Sequence, residues 1–167
     1  MAVVLAALRR FLEGLRDRVA PMRVAVTVVV VDGSPDESGL AFTMTRKAAS
    51  QFYDDTGVVL RFDIQEGQGF LPGPHLRTAY NTGNYQPPTI FVFPRVARID
   101  GAALGVAYGE YIAIAGEGQH LSWVYLHELG HWFGLQHEPD TFVQEPGAPG
   151  PVTERQRQVI RGRARFV

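Results

Sequence analysis

The sequence is dominated by the stretch His127-Glu128-Leu129-Gly130-His131-Trp132-Phe133-Gly134-Leu135-Gln136-His137. Two of its histidines, His127 and His131, are four residues apart, so on a helix they lie on one face, one turn apart, where they can bind one metal ion. Gly134 predicts the end of this helix, because glycine adopts a positive φ angle without a Cβ clash. The chain can then turn back and bring His137 to the same metal ion.

The residue next to the first histidine adds a catalytic group to this pattern. The carboxylate of Glu128 can reach a water molecule on the metal without taking a coordination position. Three imidazoles that leave a fourth position to water are typical of a catalytic zinc site rather than a structural one. Two histidines at this spacing also occur by accident on amphipathic helices. The complete pattern of three histidines, a glutamate and a glycine favours the metal site.

The pattern His-Glu-x-x-His-x-x-Gly-x-x-His at 127–137 resembles that of the metzincin clan of zinc metallopeptidases. A weaker similarity in the order of elements covers most of the chain. The resemblance implies that Zn²⁺ is held by His127, His131 and His137, and that the substrate is a peptide or protein. It also implies that Glu128 acts first as general base and then as general acid.

One feature of the clan is absent downstream of the third histidine. Metzincins have a methionine in a tight turn beneath the metal, whereas the methionines of this chain are Met1, Met22 and Met44. We expect Ala148 or Pro149 to form the floor of the site instead. Zinc binding should survive this difference, because the methionine of the clan is not a ligand.

Two short strands are predicted before the histidine helix, over 104–110 and 111–115. In metzincins the edge strand before this helix pairs with an extended substrate. The resemblance therefore implies that a peptide binds by β-addition to Gly105, Val106, Ala107 and Tyr108. The alternative is an ordinary sheet edge.

Astacin-type metzincins stabilise the oxyanion with a tyrosine after the third histidine, but no tyrosine follows Tyr125 here. Such a donor would come from Tyr108 or Tyr111, or be absent.

The rest of the chain predicts an α+β fold, with a mixed, twisted sheet of about five strands and helices mainly on one face. The β-branched run 23–31 predicts a strand that is buried on both faces and central in the sheet. Ser34 and Glu37 can cap the start of the following backing helix, although Gly39 indicates a start one turn later. Further strands are predicted over 58–65 and 89–93.

The 167 residues are interpreted as a single metzincin-like catalytic domain. Residues 1–20 predict an amphipathic N-terminal helix, residues 23–137 an upper part that contains the active-site helix, and residues 138–167 a small lower part. Thr153 and Gln156 form a capping-box pattern that opens a short C-terminal helical segment. We interpret the arginines of this segment as a solvated face, with an acidic partner as the alternative; they are Arg155, Arg157, Arg161, Arg163 and Arg165.

Composition excludes several classes of function. The formal net charge of −1 argues against a nucleic-acid partner. The chain has no cysteine and therefore no disulfide framework. It shows neither a signal-peptide pattern nor a segment long enough to span a bilayer. We therefore expect a cytoplasmic, monomeric protein that does not bind membranes.

These observations predict a zinc-dependent endopeptidase, and two alternatives stay open. The first is a zinc hydrolase that acts on a non-peptide amide or on one dedicated protein partner. The second is a zinc-binding scaffold or partner-binding module that cleaves nothing. It is supported by the missing methionine and by the lack of a tyrosine after the third histidine that could act as oxyanion donor. Glu128 counts against the scaffold, because a scaffold has no chemical need for a carboxylate beside the metal.

Overall fold

The computed structural model describes residues 21–67, 85, 88–99, 102–139, 141–143 and 150–167. The predicted N-terminal helix (1–20) and the predicted floor of the site at Ala148 and Pro149 lie outside these residues. The described part of the chain has an α+β fold with a five-stranded mixed sheet, which confirms the predicted fold class.

The five strands form one sheet in the order β2-β1-β3-β5-β4. Their bounds are β1 Arg23–Val31, β2 Val59–Gly67, β3 Thr89–Phe93, β4 Gly105–Tyr108 and β5 Tyr111–Ala115. Neighbouring strands are parallel except for β4, which pairs antiparallel with β5. Strand β4 is therefore at one edge of the sheet, as the sequence predicted for the strand before the histidine helix.

Strand β1 pairs with β2 on one side and with β3 on the other. Its second half, Val28–Val31, is buried on both faces of the sheet. A run of β-branched side chains suits this position, because such side chains pack well on a pleated surface that is covered on both sides.

Helix α1 spans Pro35–Thr56, and a complete capping box marks its start. The Ser34 side chain accepts from the Glu37 amide, and the Glu37 side chain accepts from the Ser34 amide. The expectation that Gly39 would delay the helix by one turn is wrong. The cap is worth about 1 kcal/mol, comparable to the cost of about 1 kcal/mol for glycine inside a helix. The helix ends at Gly57, whose φ is +73°.

The described residues form two further helices: α2, Ser122–Trp132, and α3, Glu154–Ala164. Helix α3 begins with the predicted capping box of Thr153 and Gln156. Helices α1 and α2 share one hydrophobic core with one face of the sheet, and the Phe52 and Phe133 rings stack at 5.3 Å within it. None of the described helices combines the length and the apolar composition that crossing a membrane requires.

Candidate metal centre

Helix α2 ends in a Schellman motif that reverses the chain between the second and third histidines. Gly134 has a φ of +92°, which favours glycine. The Gly134 amide donates to the His131 carbonyl, and the Leu135 amide donates to the Gly130 carbonyl. The chain reversal predicted from the position of Gly134 is thus present, and it returns His137 toward the helix.

The three predicted ligands meet at one point. The Nε2 atoms of His127 and His131 are 3.2 Å apart, those of His127 and His137 are 3.2 Å apart, and those of His131 and His137 are 3.0 Å apart. Among the described residues, these histidines form a cluster whose ligand atoms are close enough to share one metal ion.

The geometry of the cluster fits a metal ion of the size of zinc. An ion about 2.0–2.1 Å from each nitrogen in a tetrahedral arrangement would hold the nitrogens about 3.3 Å apart. The observed separations of 3.0–3.2 Å need only a small opening to reach this value. Three nitrogens supply three positions of a tetrahedron, so one position remains for a ligand from the open cleft.

A hydrogen bond at the other ring nitrogen, Nδ1, orients the ring of His131. Its Nδ1 atom lies 3.0 Å from the carbonyl oxygen of Leu135, which can only accept. The proton of a neutral His131 ring is therefore on Nδ1, and the lone pair of Nε2 points into the cluster. Metal-ligating histidines commonly use the second ring nitrogen in this way, because the bond sets both the tautomer and the ring orientation.

His127 is the most enclosed of the three histidines, with 8% of its surface exposed. Burial, together with the charges that His131 and His137 can carry, lowers the pKa of His127 to about 4. The ring is thus neutral near pH 7, as a metal ligand must be. Within the described part of the chain, its Nδ1 atom is buried without a hydrogen-bond partner.

The side chain of Glu128, on helix α2, faces the edge strand, and 5% of the residue's surface is exposed. A Cβ atom at Gly105 would lie 2.8 Å from Cγ and 2.9 Å from Oε1 of Glu128. Such distances are closer than real Cβ atoms approach, so a side chain at position 105 would require Glu128 to shift. The close neighbour of Gly105 is thus the side chain of Glu128.

An open cleft of about 620 Å³ runs across the histidine cluster. The edge strand and the histidine helix form its walls. It is lined by Ala103, Gly105, Val106, Ala107, Gly109, Glu110, His127, Glu128, His131, Trp132, Gln136, His137 and Arg163. Three of the four predicted substrate-binding residues are thus in the cleft wall. The fourth, Tyr108, ends strand β4 without being part of this lining.

The two tyrosines considered as oxyanion donors lie next to each other on the sheet. Tyr108 is paired directly opposite Tyr111, so their side chains share one face of the sheet, and their rings are 6.1 Å apart. Tyr111 packs with Phe91 and Ala113 in a hydrophobic cluster separate from the core that contains α2. Neither is among the described residues that line the cleft.

The segment after His137 packs under helix α2. Phe142 and Val143 are fully buried, and a Cβ atom at Gly130 would lie 2.5 Å from the Val143 Cγ2 atom. The Gln156 side chain on α3 donates to the Thr141 hydroxyl at 3.0 Å. This contact connects the C-terminal helix to the loop that follows the third ligand.

Sequence reasoning missed three residues of this region. Gly130 is an unspecified position of the histidine motif, but its lack of a side chain leaves room for Phe142 and Val143 against the helix. Gln156 was recognised only as half of a capping box, although it is also buried. Arg163 was placed on a solvated face, yet it lines the cleft. No local pattern could have found these roles, because each depends on a distant segment.

A further histidine, His120, precedes the histidine helix. It is exposed at the end of a short 3-10 helix, Gly118–His120, and is not part of the histidine cluster. His75, a further histidine of the chain, lies outside the described residues.

Comparison with protein-family models finds none that matches this chain, and comparison with curated proteins finds no similar sequence. The functional assignment therefore depends on the chemistry of the site, which presents three converging imidazoles, a neighbouring carboxylate and an open cleft.

Proposed function

We propose that this chain is a zinc-dependent endopeptidase of the metzincin type. The observation that carries the proposal is the meeting of three histidine Nε2 atoms, 3.0–3.2 Å apart, at an open cleft beside a glutamate. A structural zinc site would be closed by a fourth protein ligand, whereas an open position is typical of a catalytic one.

Four residues of this chain would have separate roles in peptide hydrolysis. His127, His131 and His137 would hold the ion and leave one position free. When bound, zinc supplies Lewis acidity, which acidifies water and polarises a carbonyl group. Glu128 accepts the proton of the attacking water and later delivers it to the leaving amine nitrogen.

The edge strand β4 would position the substrate. Its inner neighbour is β5, and it is last in the order of the described sheet, so its outer backbone groups can pair with an extended peptide. Gly105, Val106 and Ala107 line the cleft and lie next to the histidine helix. A peptide that pairs with this edge would cross the three histidines in an extended conformation.

The decisive experiment is cleavage of a degenerate fluorogenic peptide pool by protein loaded with one zinc per chain. Wild type is compared with Glu128→Ala, and Glu117→Ala is the control. Glu117 is an exposed glutamate that pairs with Arg98 outside the cleft. We expect cleavage by wild type and the control, and none by Glu128→Ala with zinc retained.

Two other outcomes would contradict the proposal. Stoichiometric zinc without cleavage of any pool by wild type would favour the scaffold, or a hydrolase for a non-peptide amide or one dedicated partner. Absence of stoichiometric zinc in wild type would refute the metal site itself.

A further inference from the structure

The C-terminal helix α3 carries four arginines and ends at a fifth, Arg165, and three of the five have identified partners. Arg157 and Arg161 donate to the carbonyl oxygens of Asp55 and Thr56 at the end of α1. The Nη1 atom of Arg155 lies 4.0 Å from the Oε1 atom of Glu138. These contacts attach α3 to the rest of the fold, so these three arginines have a structural role.

Arg163 differs from these three in its surroundings. Its guanidinium lies over the Trp132 ring, 4.8 Å from the centroid, and no ion pair with a described carboxylate is found for it. A Cβ atom at Gly134 would be 3.9 Å from its Nη1 atom. Arg163 is thus placed over the turn that joins the second and third histidines.

Arg163 also contributes to the wall of the cleft. Apart from the histidines, it is the only basic residue among the described residues that line it. Stacking on an aromatic ring restricts a guanidinium without using its N–H groups. The planar fork therefore stays available to bind an anion in the cleft.

We propose that Arg163 is a specificity-determining residue that binds a carboxylate of the substrate beside the metal centre. This inference rests on the proposed peptidase function. In a peptide, the matching groups are the side chains of Asp and Glu and the C-terminal carboxylate. Arginine binds carboxylates through two parallel hydrogen bonds, which gives the contact directional selectivity.

The other charges of the cleft restrict where such a carboxylate can bind. Glu110 and Glu128 also line it, and both would repel an acidic substrate group. The selection should therefore apply to one substrate position, the one beside Arg163, rather than to acidic peptides in general.

The test compares peptide pools that differ only in Asp or Asn at one fixed position, scanned across three positions on each side of the scissile bond. Binding is measured by fluorescence anisotropy with labelled pools and zinc-loaded Glu128→Gln protein. Cleavage of the same pools is measured with zinc-loaded protein that retains Glu128. We expect an Asp preference of about three- to tenfold at one position, because the contact is charge-assisted but exposed.

Variants of Arg163 identify the residue responsible. Arg163→Gln should abolish the preference, Arg163→Glu should reverse it to a preference for Asn, and Arg163→Lys should retain only part of it. Arg165→Gln is the matched control, since it removes the same charge from the same end of the chain at an exposed residue outside the cleft lining. It should keep the Asp preference unchanged.

Several results would overturn the inference. One is cleavage without an Asp preference at any position, which would leave the peptidase function intact. Another is a preference that survives in Arg163→Gln. A third is an equal loss of rate on both pools in that variant, which would indicate a contact to the transition state. Conversely, an Arg163-dependent Asp preference in binding without cleavage would support the carboxylate site and refute the peptidase.

Discussion

Gly105 of the edge strand lies directly against Glu128 of the histidine helix, so that a Cβ atom at position 105 would be 2.9 Å from the carboxylate oxygen Oε1. The proposed general base is therefore positioned by a residue that has no side chain. The same close approach connects the strand proposed to bind the peptide with the group proposed to activate water.

Replacing Gly105 by alanine should displace the Glu128 side chain and leave the histidines in place. We expect Gly105→Ala to lower kcat/KM for the peptide pool by about 10- to 100-fold, since a shift of about 1 Å in a catalytic group has effects of this size. Zinc stoichiometry should stay at one per chain. Gly39→Ala is the control, because its Cβ atom would meet nothing within 4 Å. Full activity of Gly105→Ala would show that Glu128 is not held by this contact.

Gly130 should matter for stability rather than for chemistry. A Cβ atom there would be 2.5 Å from Val143 Cγ2 and 3.2 Å from the Phe142 ring. Overpacking of this kind typically costs about 1–3 kcal/mol. We expect Gly130→Ala to lower the free energy of unfolding by that amount in urea titrations. Gly162→Ala, in a helix where the added Cβ meets nothing, should be neutral or stabilising. Equal stability of the two variants would argue against the packing of the 141–143 segment under α2.

The metal-free protein should lose stability in mild acid through His127. Its pKa is lowered to about 4 in the folded protein, against about 6.5 when unfolded. Between these values the unfolded chain binds more protons, so the contribution of His127 to stability is complete above about pH 6.5 and is lost as the pH falls toward 4. Urea unfolding with a chelator, from pH 7 to pH 4, should show this loss in wild type.

The same titration with two variants separates His127 from other acid-sensitive groups. His127→Gln should show a shallower decline over this range than wild type. His120→Gln changes an exposed histidine outside the cluster and should follow wild type. Parallel curves for wild type and His127→Gln would contradict the lowered pKa.

Zinc should stabilise the fold through all three histidines. A ligand present at about 100 times its dissociation constant contributes about 2.7 kcal/mol, which corresponds to about 5–10 °C in the melting temperature of a domain of this size. We expect this shift in wild type and in His120→Ala, and a much smaller one in His137→Ala. Calorimetric scans with and without zinc would measure it. An undiminished shift in His137→Ala would remove that residue from the ligand set.

The parts of the fold that depend on neighbouring residues in the chain could be read from the sequence. The capping boxes at Ser34 and Thr153 start their helices where the sequence pattern indicated. Gly134 adopts a positive φ at the predicted helix end. The one local error, at Gly39, arose because the cap and the glycine have opposing effects of similar size.

The histidine cluster also follows from local spacing. His127 and His131 are one helical turn apart, and the turn at Gly134 returns His137 within a few residues. Their Nε2 atoms can therefore meet whatever the rest of the chain does, as long as the helix forms. This explains why the sequence alone was enough to identify the candidate ligands.

Contacts between distant segments were decided only by the tertiary structure. The sheet order places β4 at the edge and brings Gly105 to Glu128, and the return of the chain places Val143 against Gly130. The packing of α3 places Arg163 in the wall of the cleft, although the sequence indicated a solvated face. No periodicity encodes such contacts, because they depend on how whole elements fit together. The sequence by itself thus determined the candidate ligands and the helix ends, whereas long-range packing decided what surrounds them.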